Sequence, residues 1–365
     1  MYSARHLRPS APDLVRALRR RGREVWPLRR RGADLGFAVP MVRAMPSLQQ
    51  AITRWQRSEP VFLPGVLGRA PTRFRKAIAA SLRMFERLRA GGSLLDEMER
   101  RLAEDPDLRY VGSDVDRKDP REVERIFFDA EVAGKAVARD LWAKLAWIAN
   151  DESDRSLRMR FSSGLEQMDE WLKSSDLSAG WVDQLSARAF PECAAILDCA
   201  PLREMLRHLL ARPHRLSERI IYNNAPDGGA VFHHDAEPGQ LGVAFSQLEG
   251  QTAWLTLGKR RLAKLLVRTR TARTFDAAMA ALDAADDACL VHLLNRDARF
   301  TAQLAAHGAL FVLRAGDSIL LPSHGVDDVA WHSVIALGQR PSLAHSYGLF
   351  VRQPDYPMAA DPHAS

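Results

Sequence analysis

Residues 230–239 read AVFHHDAEPG, and the spacing His233-x-Asp235 is the part of this chain best suited to chemistry. In an extended segment alternate side chains share a face, so His233 and Asp235 project together and His234 points away. An imidazole and a carboxylate on one face are two thirds of a facial triad of two histidines and one carboxylate. Such a triad holds a divalent metal and leaves positions on it open. The pair alone is common, and a hydrogen-bonded histidine at a strand end accounts for it equally well.

The third ligand must come from a distant strand, and GDSILLPSHGVDDVAWHSV (316–334) offers His324 and His332. His332 sits in an apolar, strand-like run that would hold a ligand more rigidly than the Ser-Gly turn around His324. His332 is therefore the expected ligand and His324 the alternative. The residues between Pro322 and Trp331 are expected to loop over the site. Further on, RPSLAHSYGL (340–349) places Arg340 and Ser342 on one expected strand face. A guanidinium inside a barrel needs an anionic partner, and a planar fork beside a hydroxyl suits a ligand carboxylate. A surface arginine at a strand start is the plainer reading.

The elements that must position these residues follow from the chain's periodicity. With 365 residues, 46% of them hydrophobic, the chain suits one large or two modest domains, and no apolar run is long enough to span a bilayer. Residues 1–45 form a basic arm with eleven Arg against Asp13, Glu24 and Asp34. That is +8 of a total of +7, so the remaining chain carries −1. The arm reads as a solvated face or a helix docked through Leu14, Val15, Leu18 and Trp26. Targeting, or binding to a nucleic acid or acidic lipid, is the competing reading. No signal-peptide core follows, so a cytoplasmic location is expected. Cys193, Cys199 and Cys289 are too few and too irregular for a zinc knuckle or disulfide framework.

Residues 46–215 read as mainly helical after an early strand at Val61–Leu63. One helix stops at Gly91-Gly92, SLLD (93–96) opens the next, and others are expected around 128–150, 154–174 and 202–212. From 216 to 365 short β runs alternate with Pro, Gly, Asp and Asn turns, interrupted by a helical insertion over about 272–307. A β-sandwich or barrel is expected there.

H-x-D, a distant His and Arg-x-Ser together resemble the Fe(II)/2-oxoglutarate-dependent oxygenases, and within them the JmjC-like, cupin-type branch. SEPVFLPGVL (58–67), GQLGVAFSQLEGQTAWLTL (239–257) and LRAGDSILLPS followed by WH are similar to JmjC strands. The resemblance implies an α+β fold with a double-stranded β-helix (cupin or jelly-roll) core. It implies iron on His233, Asp235 and His332, and 2-oxoglutarate decarboxylation coupled to oxidation of a substrate, by default hydroxylation. JmjC strands commonly carry a Lys for the 2-oxoglutarate tail where this chain has Thr252. The tail anchor is therefore expected at Arg340, assisted by Ser342 or Thr252, with Tyr222, Asn224 and Trp254 lining the cavity. The substrate is left open between a protein side chain and a small molecule; nucleic acid is only weakly indicated, through the arm. A homodimer is left open too, and the helical segments are expected to shape the substrate mouth or a subunit interface. Two rivals remain: a zinc or manganese cupin hydrolase or isomerase, and a non-catalytic binding module with a basic arm.

Overall fold

The computed structural model describes residues 4–41, 44–103, 105–164, 176–284 and 287–351. Strands β1 (Arg5–Leu7), β2 (Trp26–Arg30) and β3 (Ala33–Val39) form a small antiparallel sheet with β3 in the middle. The arm is thus largely folded structure. Its helix Pro12–Arg20 packs through Val15 and Leu18 against Leu7, Val25 and Val39, whereas Leu14 stays exposed.

Strand β4 (Val61–Leu63) is where the sequence places it. Ser93 caps the helix Leu94–Leu102 by accepting the Asp96 amide proton. The expected helices around 128–150 and 154–174 are corrected. Strands β5 (Leu108–Asp114), β6 (Glu122–Val132), β7 (Lys135–Trp147) and β8 (Leu157–Ser163) occupy this stretch, and 165–175 lies outside the described residues. The deciding signal is period two. Leu141, Ala143 and Leu145 in β7, and Leu157, Met159 and Phe161 in β8, alternate into one apolar core. Ala133 and Gly134, both at positive φ, make the two-residue turn that joins β6 to β7.

Beyond the helix Ala200–Leu210, strands β9 (His214–Asn224), β10 (Gln240–Glu249), β11 (Gln251–Gly258), β12 (Leu310–Arg314), β13 (Ser318–Pro322), β14 (Ala330–Leu337) and β15 (Ser342–Val351) complete the chain. The large antiparallel sheet has the order β4-β13-β10-β15-β9-β8-β7-β6-β5, and a small one has the order β12-β11-β14. The two sheets face each other across a core that includes Phe62, Val243 and Phe245 from one and Trp254, Phe311 and Val334 from the other.

The helical insertion begins at Lys259, earlier than its composition suggests, and runs to Ala306. Leu262, Leu266, Leu290 and Leu304 bury it on the outer face of the small sheet, so it backs that sheet instead of framing its mouth. Among the described residues no helix is long and apolar enough to cross a membrane.

Two arginines of the arm are built into this assembly. Arg30 is buried and donates to Asn295 Oδ1 at 2.6 Å, Ser333 Oγ at 2.6 Å and the Val334 carbonyl at 2.9 Å. Burial pulls its pKa down to about 9. Arg31 pairs with buried Asp154 at 2.8 Å and donates to the Gly229 carbonyl at 2.8 Å. Asn295 Oδ1 also accepts the Phe232 amide proton at 2.8 Å, so one side chain of the insertion holds both the arm and the H-x-D segment. Asn295→Ala strands a buried charge donor and a buried amide together. A loss of about 2–4 kcal/mol is expected from urea unfolding midpoints; a change below about 0.5 kcal/mol would show that water replaces the amide oxygen at no cost.

Candidate metal centre

The segment after β9 leaves its sheet and runs beside β14. The Val334 amide donates to the Ala230 carbonyl at 2.9 Å and that of Ala336 to Gly228 at 2.8 Å. This approach needs small residues. Gly229 has φ +127, and a Cβ there would lie 2.5 Å from the Val334 carbonyl oxygen. At the next step His233 and His332 exchange both backbone hydrogen bonds, at 3.0 and 2.9 Å, forming an isolated antiparallel bridge. The H-x-D residues are thus a single bridge and not a regular strand. The outcome for the side chains is the one expected: His233 and Asp235 project together, while His234 turns away to pack on Trp331.

Directly paired antiparallel residues share a face, so the bridge sets the two imidazoles side by side with centroids 4.3 Å apart. Asp235 closes the group, with carboxylate oxygens 3.3 Å from His233 Nε2 and 3.5 Å from His332 Nε2. Ligand atoms of the three lie within 4.8 Å of one another, and this is the only such group among the described residues. His233 Nδ1 lies 2.7 Å from the Val231 carbonyl, which fixes the proton there and leaves Nε2 as the lone-pair donor.

Exposure differs within the triad. The His332 side chain is 5% exposed, against 38% for His233 and 34% for Asp235, so the open side of the group faces the pocket mouth. Burial and the neighbouring His233 press the His332 pKa down to about 3, against the pull of Asp235. Burial also opposes charge on His233, but the charge and hydrogen bond of Asp235 outweigh it and raise that pKa. Burial works against the Asp235 carboxylate too; the two imidazoles prevail and hold it well below the usual range. The result is an ionised carboxylate beside two imidazoles, one of them strictly neutral.

The triad lines a narrow pocket between the two sheets. Tyr222 and Asn224 of β9 and Ser346 of β15 supply its other polar groups, and Val243, Phe245, Trp254 and Leu321 its apolar walls. Trp254 stacks on His332 at 5.3 Å and 21°, and its Nε1 donates to Thr252 Oγ1 at 3.0 Å. Thr252 in turn donates to Gln247 Oε1 at 2.8 Å. Thr252 is therefore a buried support for the tryptophan that flanks the ligand, not part of the pocket lining.

The remaining expected residues lie elsewhere. His324 is exposed, with Nε2 at 3.0 Å from the Trp55 carbonyl, in a hairpin pinned by Arg260–Asp328 and Lys259 to the insertion. His332 alone completes the triad. Arg340 is exposed in the turn between β14 and β15, because Pro341 ends the turn and β15 begins only at Ser342. The expectation that Arg340 shares a strand face with Ser342 is corrected, since Arg340 precedes the strand. Ser342 is buried behind the lining, where it receives Asn224 Nδ2 at 3.4 Å. The sequence reading missed Ser346, although it alternates with Ala344 along a run already read as a strand.

No family model and no curated protein matches the sequence. Similar solved structures are 2-oxoglutarate/Fe(II) oxygenases. One is an oxidoreductase of the 2OG-Fe(II) oxygenase family from Burkholderia pseudomallei, with 10% identity, 85% of this chain and 93% of that one covered, and TM-score 0.31. Another is HygX from Streptomyces hygroscopicus, solved with nickel and 2-oxoglutarate, with 14% identity, coverage of 85% and 92%, and TM-score 0.32. A third is a prolyl-4-hydroxylase from Pseudomonas putida, with 12% identity, coverage of 84% and 100%, and TM-score 0.28. At these scores the likenesses carry no functional weight.

A divalent ion must displace the proton that His233 holds at its raised pKa. Affinity for Mn(II), measured by calorimetry, is expected to be full above that range and to fall about tenfold per pH unit below it. His332, protonated only near about 3, adds no competition there. Asp235→Ala is expected to weaken binding more than about 100-fold; wild-type affinity in that variant would dismiss the triad as the metal site.

Proposed function

We propose that this chain is an Fe(II)- and 2-oxoglutarate-dependent oxygenase, by default a hydroxylase, whose two facing sheets form a double-stranded β-helix. The observation that carries this reading is the His233–Asp235–His332 group at one end of a largely apolar pocket. Its donors fit an octahedral ion: adjacent ligands at bonds of about 2.1 Å lie roughly 3 Å apart. The Asp235 separations of 3.3 and 3.5 Å are close to that spacing. Two imidazoles and a carboxylate are also the donor set suited to ferrous iron with open positions.

Held there, Fe(II) would supply the activation of dioxygen, one oxygen atom ending in succinate as 2-oxoglutarate loses carbon dioxide and the other in the hydroxylated substrate. The chain's own residues bind and orient. The triad occupies one face of the site and leaves the other towards the pocket. Burial, reinforced by Asp235, pushes the Tyr222 pKa up to about 12, so its hydroxyl keeps its proton. With Asn224 and Ser346 it offers neutral donors for a co-substrate carboxylate. The described lining contains no Lys or Arg, so these three groups take the place first given to Arg340. Val243, Phe245 and Leu321 keep bulk water from the reacting end.

The test is succinate formation from 2-oxoglutarate by anaerobically purified protein with Fe(II) and ascorbate. Asp235→Ala is expected to abolish turnover, and Arg340→Ala to leave both rate and 2-oxoglutarate requirement unchanged. A protein that binds neither iron nor 2-oxoglutarate would overturn the reading.

A further inference from the structure

Strand β8 presents a second set of functional groups beside the pocket. Its apolar residues Leu157, Met159 and Phe161 enter the core behind the large sheet, which turns Arg158 and Arg160 to the opposite face. In register, Arg158 lies directly across from Tyr222 of β9, and Arg160 from Ile220. Paired residues share a face, so Arg158 stands beside a residue that lines the pocket, one strand farther from the metal ligands. On the other side, Arg160 lies across from Lys144 of β7, which in turn lies across from Arg125 of β6. The four cations thus form a shelf leading from the pocket rim.

Three of them are matched. Arg125 pairs with Asp114 at 2.9 Å, Lys144 with Glu122 at 3.2 Å, and Arg160 with Glu237 at 3.8 Å. Glu237 follows Asp235 by two residues, so this last contact ties the metal-binding loop to the shelf. Arg158 is half-buried and has no hydrogen bond or ion pair among the described residues. A partly desolvated guanidinium without an anion is costly, and a planar fork is suited to a carboxylate or phosphate.

We propose that Arg158 is the recognition residue for a carboxylate or phosphate group on the primary substrate, held at the rim while the rest of the substrate reaches the metal. This rests on the oxygenase reading for what happens to the substrate, but the anion site can be tested without it. Inorganic phosphate, titrated calorimetrically at low ionic strength into metal-free full-length protein, probes the site. Arg158→Gln is expected to weaken phosphate binding about tenfold or more, and Arg158→Lys to return it to within about threefold of wild type. Thermal melting of each variant reports folding separately. In Mn(II)-loaded protein, 2-oxoglutarate affinity is expected to change less than about twofold in Arg158→Gln.

Phosphate that does not bind the wild type, or binds Arg158→Gln equally well, overturns the proposal. So does a raised 2-oxoglutarate dissociation constant in Arg158→Gln, because the cation would then serve the co-substrate. If wild type binds neither metal nor 2-oxoglutarate while Arg158→Gln still loses phosphate, the oxygenase reading falls and the anion site stands.

Discussion

The backbone bridge between His233 and His332 is the constraint on which the rest of the structure depends. Two reciprocal hydrogen bonds fix the relative height of residues 99 positions apart in sequence, and side-chain sharing of one face follows without further instruction. A slip of one residue would present His234 in place of His233 and disperse the triad. Much of the surrounding architecture can be understood as holding this register. Gly229 permits the close backbone approach, Asp154 accepts the Gly229 amide proton at 3.1 Å, and Asn295 accepts that of Phe232.

The N-terminal arm belongs to the same argument. Burying Arg30 removes a charge from water, a cost offset in part by three hydrogen bonds to fixed acceptors, while its Nε has no partner among the described residues. Two of those acceptors, Ser333 Oγ and the Val334 carbonyl, belong to residues immediately after His332, and the third is Asn295. Arg31 reaches the same H-x-D segment through Asp154 and Gly229. Of the arm's arginines, Arg30 and Arg31 are engaged in internal contacts, whereas Arg16, Arg19, Arg20, Arg21, Arg23 and Arg29 are exposed. The role of Arg30 and Arg31 is geometric: each holds a piece of the framework around His233 and His332 from behind.

Charge and polarity are graded across the pocket. At one end a carboxylate and two imidazoles are poised for a cation, in the middle apolar walls keep the volume dry, and neutral hydroxyl and amide groups line β9 and β15. Cations appear only beyond this lining, on β8, β7 and β6. Such an order separates the neutral donors of the pocket from the positive charge on the neighbouring strands. Trp254, stacked on His332 and held by Thr252, forms the rigid floor of this gradient.

The sequence by itself determined which residue types stand in the group and that His233 and Asp235 project together. The H-x-D spacing, an apolar run around His332 and the turn-punctuated strands after 216 are local signals, and each depends on side-chain alternation that tertiary packing then respected. Period two in Leu157–Ser163 was equally local, yet the apolar-rich 128–174 stretch is compatible with a helix until its neighbours are known. What only tertiary structure decided was proximity. Arg340 was expected to share a strand face with Ser342, but Pro341 and the start of β15 leave it in solvent. No such expectation attached to Arg158, and strand pairing with Tyr222 brings it to the pocket rim. The physical reason is that alternation fixes which face a residue takes within its own strand, whereas register between distant strands fixes what that face meets.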